Sequence, residues 1–493
     1  MTKFENLMAY NKETVAIRKI ASRLGWDQAT MMPKGAVTDR IEEFAALEKV
    51  LHSRQSSHEL KDLLDDIRQD QLNRYQQRQV YLIRRSFDRT CRIPQELAIA
   101  LARLTPKSQS VWEQARHDDD FASFKPILAQ VISLRQQEGQ ALSKDTESSP
   151  YDALLTEYEP DGSTQKIQAM FDALRGPLVE LRAAVLEREK PQPLAGVFDI
   201  DKQMILSQEL AVTFGYDLNR GRIDKAVHPF SSGSSSDVRI TTRTMDRDPM
   251  NCFYSTIHET GHACYEQNIN PDYAFTAFGK GTSLGIHESQ SRIYENQLGR
   301  SQGFTAHLYR RMLEIFGDFG VKDEETFYKL VNRVSEGYIR TEADELQYNL
   351  HVMLRFDLEQ GLMSGDLMIA DLETAWNDRF MADFGYAVDR PSNGVLQDVH
   401  WSEGIFGYFP TYTLGNVYAG CLFEALDKDI PNLQDDLAKG DASGATDWLR
   451  KSLQQHGSEY RPDQLMTMAC GEAPTVKPLI SYITAKFSDI YSL

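Results

Sequence analysis

Several things are scarce in this sequence, and each shortage removes a class of protein. Positive charge is in deficit: 54 Lys and Arg against 72 Asp and Glu leave a formal charge of −18. Such a surface repels phosphate backbones, and no concentrated basic patch offsets it, so no nucleic-acid partner is expected. No apolar run approaches the length of a membrane span, so no membrane association is expected either. The opening stretch MTKFENLMAYNKETVAIRKIASRLGW has charges scattered among its apolar positions. It lacks the continuous apolar segment and small-residue cleavage site of a secretory signal, which makes a cytoplasmic location the expectation. Cysteine is sparse and unpatterned: Cys91, Cys252, Cys264, Cys421 and Cys470 contain no CxxC pair. Their odd number argues against a disulfide framework. Cys252 and Cys264 read as small buried hydrophobes on one helix.

What remains is a soluble, globular composition, 41% hydrophobic and 26% charged over 493 residues, long enough for two lobes with a cleft between them. Residues 1–225 read as almost entirely helical, with Glu, Gln, Arg, Leu and Ala abundant and apolar residues recurring at three and four. In DRIEEFAALEKVLHS the residues Ile41, Phe44, Leu47 and Leu51 form one predicted apolar stripe. Pro33, Pro94, Pro106, Pro126, Pro150, Pro160 and Pro177 suit helix boundaries or first turns. This portion is expected to supply walls, and residues 226–493 the catalytic portion, of a single unit.

Two stretches break the helical pattern. SSGSSS reads as a flexible turn, followed by a short strand in which Val238, Ile240, Thr242 and Thr244 alternate with Arg239, Thr241 and Arg243. DRPSNGVLQDVHWSEGIFGYFPTYTLGN at 389–416 is rich in Gly, Pro and aromatics without helical period, and reads as a structured loop. Between them, YIRTEADELQYNLHVMLRFDLEQGL at 338–362 and LETAWNDRFMADFG at 372–385 read as helices.

The chemistry sits in NCFYSTIHETGHACYEQNI, which carries His258-Glu259-Thr260-Gly261-His262, an H-E-x-x-H pattern. On a helix the two histidines project from one face about 5–6 Å apart, so both imidazoles can reach one zinc ion at about 2.0–2.1 Å. Glu259 points to the side, where it can act on a water without displacing it as a ligand. Zinc lowers the pKa of bound water toward about 7, and a carboxylate can carry the proton to a leaving nitrogen. Gly261 costs a helix about 1 kcal/mol relative to Ala, a cost tolerated for close packing or for function. A metzincin would need His at 268 and Gly at 265, but those positions are Asn268 and Tyr265. The third ligand is then sought on a following helix, where GIHESQSRIYENQLGR offers Glu288. Glu266 lies too far along the first helix to share an ion with His258, and Glu295 reads as a solvated acid.

The order of motifs resembles the M32 metallocarboxypeptidases, the thermostable carboxypeptidase Taq family. The chain carries HPF at 228–230, DVRIT at 237–241, HETGH at 258–262, HESQ at 287–290, IRTEAD at 339–344 and GVLQDVHW at 394–401. These match the family's HPF, DxRxT, HExxH, HES/GQ, IRxxAD and GxxQDxHW in order, and TMMPKGAVTDR and YDALLTEYEPDG extend the likeness upstream. The resemblance implies zinc, with cobalt as a possible substitute, on His258, His262 and Glu288, and Glu259 as general base. It also implies a mainly α, two-lobed fold like that of neurolysin and angiotensin-converting enzyme, with a deep groove, a small β-sheet near the active site, and a homodimer. The implied activity is release of single residues from peptides with a free carboxyl terminus, with broad specificity.

Further roles follow from that activity. A terminal carboxylate is well held by a guanidinium, and the candidates are Arg340 and Arg239. For Arg340 the competing reading is an i,i+4 ion pair with Asp344 on an exposed helix; the family motif favours substrate. His228 and His400 are candidate accessory residues, and Tyr412, then Tyr408, is the expected donor to the oxyanion, by resemblance to related zinc peptidases. Thermolysin-like sites place an Asp four residues after the ligand glutamate, whereas here stands Arg292, so the partners that orient the histidines are left unassigned. Two alternatives stay open: a zinc endo-oligopeptidase with the same metal site, and a non-catalytic helical binding protein.

Overall fold

The computed structural model describes residues 2–493 and is mainly α-helical, with one three-stranded sheet. The chain forms two compact units. The first takes the chain through Cys91, then Gln192–Val331 and Leu422–Pro474; the second comprises Arg92–Pro191, Asn332–Cys421 and Thr475–Leu493. Among the described residues no helix is long and apolar enough to cross a membrane.

In the first unit the helix Lys3–Thr30 starts on a capping box: Thr2 Oγ1 accepts the Glu5 amide at 3.2 Å, and Glu5 returns the bond to the Thr2 amide at 2.7 Å. Leu7 on this helix packs with Leu60 and Leu64 of His58–Asp65 and with Val80, Ile83 and Phe87 of Arg74–Arg92. The spacing of three and four in the last set is what puts one apolar face inward. The predicted stripe on Val37–Gln55 holds only in part: Leu51 is buried, but Ile41 is 61% exposed.

The sheet is built from β1 (Ile223–Lys225), β2 (Ser231–Ser234) and β3 (Asp237–Thr242), in the order β1-β3-β2. β1 runs parallel to β3, with Ile223 opposite Ile240, and β2 antiparallel, with Gly233 opposite Val238. The serine-rich stretch expected to be a flexible turn is therefore partly a strand. Val238 and Ile240 are fully buried, and pairing with that anchored strand overrides the poor strand preference of Ser and Gly. Ser235 at φ +62° turns the chain between β2 and β3, and Gly233 at φ +108° lies inside β2.

In the second unit the long helices Gln95–His117, Phe121–Ser143 and Thr164–Leu186 contain Pro106, Pro126 and Pro177 in their interiors, not at boundaries as expected. Each loses a hydrogen bond there, but each helix is 23 residues long and buries several large apolar side chains. Pro94 and Pro150 do sit at helix starts. The helix Tyr348–Ser364 is buried on nearly every face and stops at Gly365, φ +86°. It begins at Tyr348, later than the pattern suggests, after a turn in which Asp344 accepts the Gln347 amide at 3.0 Å. Arg340 consequently lies in a single 3-10 turn, Arg340–Glu342. The helix Pro410–Asp429 begins inside the stretch expected to be loop, which puts Tyr412 on its first turn.

One contact positions the helices that carry the candidate metal residues. A Cβ on Gly261 would lie 2.4 Å from the Gln290 carbonyl oxygen and 2.7 Å from Ser291 Cα. The helices Pro249–Asn268 and Leu284–Arg292 thus touch backbone to backbone at the glycine inside the HETGH motif. Gly261→Ala is expected to destabilise the protein by about 1–3 kcal/mol through overpacking, read as a fall in Tm. It is also expected to lower bound metal, measured by elemental analysis, because it pushes the segment bearing Glu288 away from the histidines.

Candidate metal and active site

The helix Pro249–Asn268 is capped by Asp248, whose side chain accepts the Asn251 amide at 3.2 Å, and has Pro249 in its first turn. Cys252, Phe253, Ile257, Ala263 and Cys264 are buried around it, which accounts for both cysteines as packing groups. His258 and His262 emerge on one face with ring centroids 5.0 Å apart. Glu288 faces them from Leu284–Arg292: its Oε2 is 3.3 Å from His262 Nε2 and 3.9 Å from His258 Nε2. Two donors of a tetrahedral zinc site, each about 2.0–2.1 Å from the ion, stand about 3.3–3.4 Å apart. The Glu288–His262 pair matches that spacing and the Glu288–His258 pair is wider, and all three donor atoms lie within 4.8 Å of one another. Their N/N/O chemistry suits a divalent metal.

The remaining ring nitrogens are occupied, so that each imidazole has Nε2 to offer. His258 Nδ1 is 2.9 Å from Glu295 Oε2. His262 Nδ1 is 2.6 Å from His287 Nδ1, and His287 Nε2 is 3.2 Å from Glu266 Oε1, which also accepts the Gly281 amide at 3.1 Å. If His262 Nε2 takes a metal, its Nδ1 carries the proton; His287 Nδ1 then accepts and its Nε2 donates to Glu266. One carboxylate orients each histidine, directly for His258 and through a second imidazole for His262. Glu295 is thus not the solvated acid expected. It is mostly buried because the helix continues into a π turn, Ile293–Leu298, whose other residues are buried, so no face there is open to water. The signal lay in the spacing: 288, 292 and 295 share one helical face, and 266 follows 262 by one turn.

Electrostatics separate the acids. Glu259 is buried and its carboxyl is pushed up to about 7 by burial. Burial acts on Glu288 in the same sense, but Arg292 and the two imidazoles outweigh it and hold that carboxyl far below its usual range. Glu295 is likewise brought down to about 2 against burial by His258 and Arg292. Burial lowers His262 to about 4. For His258 burial is outweighed by Glu288 and Glu295, and its pKa rises.

The other predicted residues fall into two places. In the first unit, Arg239 spends its fork on Asp237, at 2.7 and 3.0 Å, and lies over the Trp26 ring at 4.5 Å; His228 is exposed. In the second unit Arg340 is 5% exposed, and its pair with Asp344 does not form. Arg340 Nε and Nη2 donate to Asp398 Oδ1 at 3.0 and 2.8 Å, and Nη1 donates to Tyr348 Oη at 3.0 Å. Arg355, fully buried, donates to Asp398 Oδ2 at 2.5 Å. His400 Nε2 lies 3.2 Å from Tyr412 Oη, whose ring is 4.9 Å from the Arg340 guanidinium, and Tyr408 stacks edge-on against Tyr412. Asp398, Arg355 and Tyr348 went unremarked in the sequence, although Asp398 is the acid of GVLQDVHW.

Replacing Glu295 by Gln removes the charge that fixes His258. We expect metal affinity to fall about 10–100-fold, measured by competition with a chelator, with the far-ultraviolet circular dichroism unchanged.

Residues 6–487 match the family model for carboxypeptidase Taq (M32) metallopeptidase. Thermostable carboxypeptidase 1 of Thermus thermophilus is 36% identical over 99% of both chains. Carboxypeptidase 1 of Bacillus subtilis is 34% identical over 95% of this chain and 94% of its own. The crystal structure of the M32 carboxypeptidase from Deinococcus radiodurans R1 superposes with a TM-score of 0.96 at 35% identity, covering 100% of both chains. The chain belongs to the carboxypeptidase Taq (M32) family and is a metallocarboxypeptidase, a peptide hydrolase dependent on a divalent metal.

Proposed function

We propose that the ion is zinc, with cobalt able to replace it, held by His258, His262 and Glu288, and that the enzyme releases single residues from peptides with a free carboxyl terminus. The observation that carries this reading is the triad of donors within 4.8 Å of one another, with a second, chemically distinct carboxylate, Glu259, one residue from His258. When bound, the ion supplies a Lewis acid that activates water and polarises the scissile carbonyl. Glu259 takes a proton from the attacking water and delivers it to the leaving nitrogen. With a pKa of about 7 it is suited to both halves of that transfer near neutral pH.

The terminal carboxylate is assigned to Arg340. Arg340 and Arg355 share the one carboxylate of Asp398, so this buried cluster carries an excess positive charge, the sign that an anionic terminus requires. Tyr412 is the proposed donor to the developing oxyanion, with Tyr408 the second choice, and His400 holds the Tyr412 hydroxyl. For Arg239 and His228 the proposed contribution is contact with the peptide away from the scissile bond. All five cysteines are free, which supports a cytoplasmic setting. The homodimer is proposed from the family resemblance, with light scattering as its measurement.

Glu259→Gln should lower kcat by about 10²–10⁴-fold and leave one metal ion per chain. Chelation should abolish activity, and zinc should restore it. A peptide amidated at its carboxyl terminus should resist hydrolysis, and Arg340→Lys should raise KM for the free peptide. Efficient cleavage of the amidated peptide would overturn the exopeptidase assignment in favour of an endopeptidase.

A further inference from the structure

Arg292 holds Glu288 and Glu295 ionised, and it contacts both of them directly. Its Nε donates to Glu288 Oε1 at 2.6 Å, and Nη1 lies 3.4 Å from Glu295 Oε2. Glu288 therefore presents its two oxygens to different partners. Oε1 faces a guanidinium, whereas Oε2 faces both imidazole Nε2 atoms and accepts a hydrogen bond from Ser291 Oγ at 3.1 Å. A carboxylate that binds a metal through both oxygens needs both turned toward the ion. A fixed positive charge on one oxygen opposes that arrangement by repulsion and by geometry.

We propose that Arg292 is a positioning residue that restricts Glu288 to ligation through Oε2 alone, and so keeps the centre at low coordination number with a position open for water and substrate. Low coordination favours zinc, while manganese and magnesium prefer six oxygen-rich positions. Arg292 thereby contributes to metal selection as well as geometry. Through its second contact, with Glu295, the same side chain ties the orientation of His258 to that of Glu288. The proposal rests on the ligand set assigned above.

Cobalt substitution of the full chain tests it, because the visible absorption of cobalt(II) is intense in four-coordinate sites and weak in higher-coordinate ones. Wild type loaded with one cobalt should show the intense band. Arg292→Leu and Arg292→Gln, which remove the charge, should each give a several-fold weaker band at one cobalt per chain, and the preference for zinc over manganese should fall about tenfold. Arg292→Lys, which keeps a charge beside Oε1, should restore most of the wild-type band. Arg292→Gln retains a polar head and decides the matter if Arg292→Leu does not fold. An unchanged spectrum and an unchanged zinc-to-manganese ratio in the glutamine variant would overturn the proposal. Failure of the wild type to take up cobalt would instead sink the ligand assignment and leave the role of Arg292 without a basis.

Discussion

The backbone contact at Gly261 is the constraint on which the catalytic geometry depends. The helix carrying His258 and His262 and the helix carrying Glu288 approach until the Gln290 carbonyl occupies the space a Cβ would need. At that separation Glu288 Oε2 lies 3.3 Å from the His262 imidazole on the neighbouring helix. The metal residues do not draw the helices together; assembling three polar groups in a partly buried site costs free energy in the absence of an ion. The packing of Cys252, Phe253, Ile257, Ala263 and Cys264 on one side, and of Ile286, Ile293 and Tyr294 on the other, carries that cost. The glycine lets the apolar contact come close enough to be useful.

Once the helices are that close, neighbouring charges decide what each carboxylate does. Glu288 and Glu295 are held ionised by Arg292 and the imidazoles, and ionised carboxylates can ligate or orient. For Glu259, one residue from His258, burial is the largest influence; the pull of His258 and His287 is opposed by Glu288 and Glu295, and the carboxyl sits near 7. Two acids a few residues from one pair of imidazoles are thereby held in different protonation regimes by their surroundings.

How much of this could be read in the sequence follows from the range of the interactions involved. The helix bearing HETGH, the nearness of Glu288 to its two histidines and the tolerance for Gly261 were legible because they depend on spacing within a helix and on which side chains can donate to one metal. The orienting acids were not. Glu295 looks like any acid on an amphipathic helix until the burial of the π turn around it is known, and burial of Ile293, Tyr294 and Asn296 is a tertiary fact. Arg340 was misplaced on a helix for a similar reason. The local pattern favours helix through 338–347, but Asp398, 58 residues later, claims the guanidinium, and Asp344 accepts the Gln347 amide in the turn before the following helix. The Ser-rich β2 strand has no local signal at all; it exists because β3 offers an edge.

The second unit shows the same logic applied to a loop. The segment around GVLQDVHW has little regular structure of its own, and two carboxylates, one within it and one outside it, anchor it. Asp398, part of the loop, is fixed by Arg340 and Arg355. Glu359, on the buried helix Tyr348–Ser364, accepts from Trp401 Nε1 at 3.0 Å, the Gly407 amide at 2.9 Å and Tyr151 Oη at 2.8 Å. Two of these donors, Trp401 and Gly407, hold the loop on both sides of Ser402, which makes the tryptophan of the motif intelligible as an indole N–H donor as well as an apolar ring. With both ends pinned, the intervening His400 has little freedom. Its contact with Tyr412 Oη at 3.2 Å is then a consequence of those anchors.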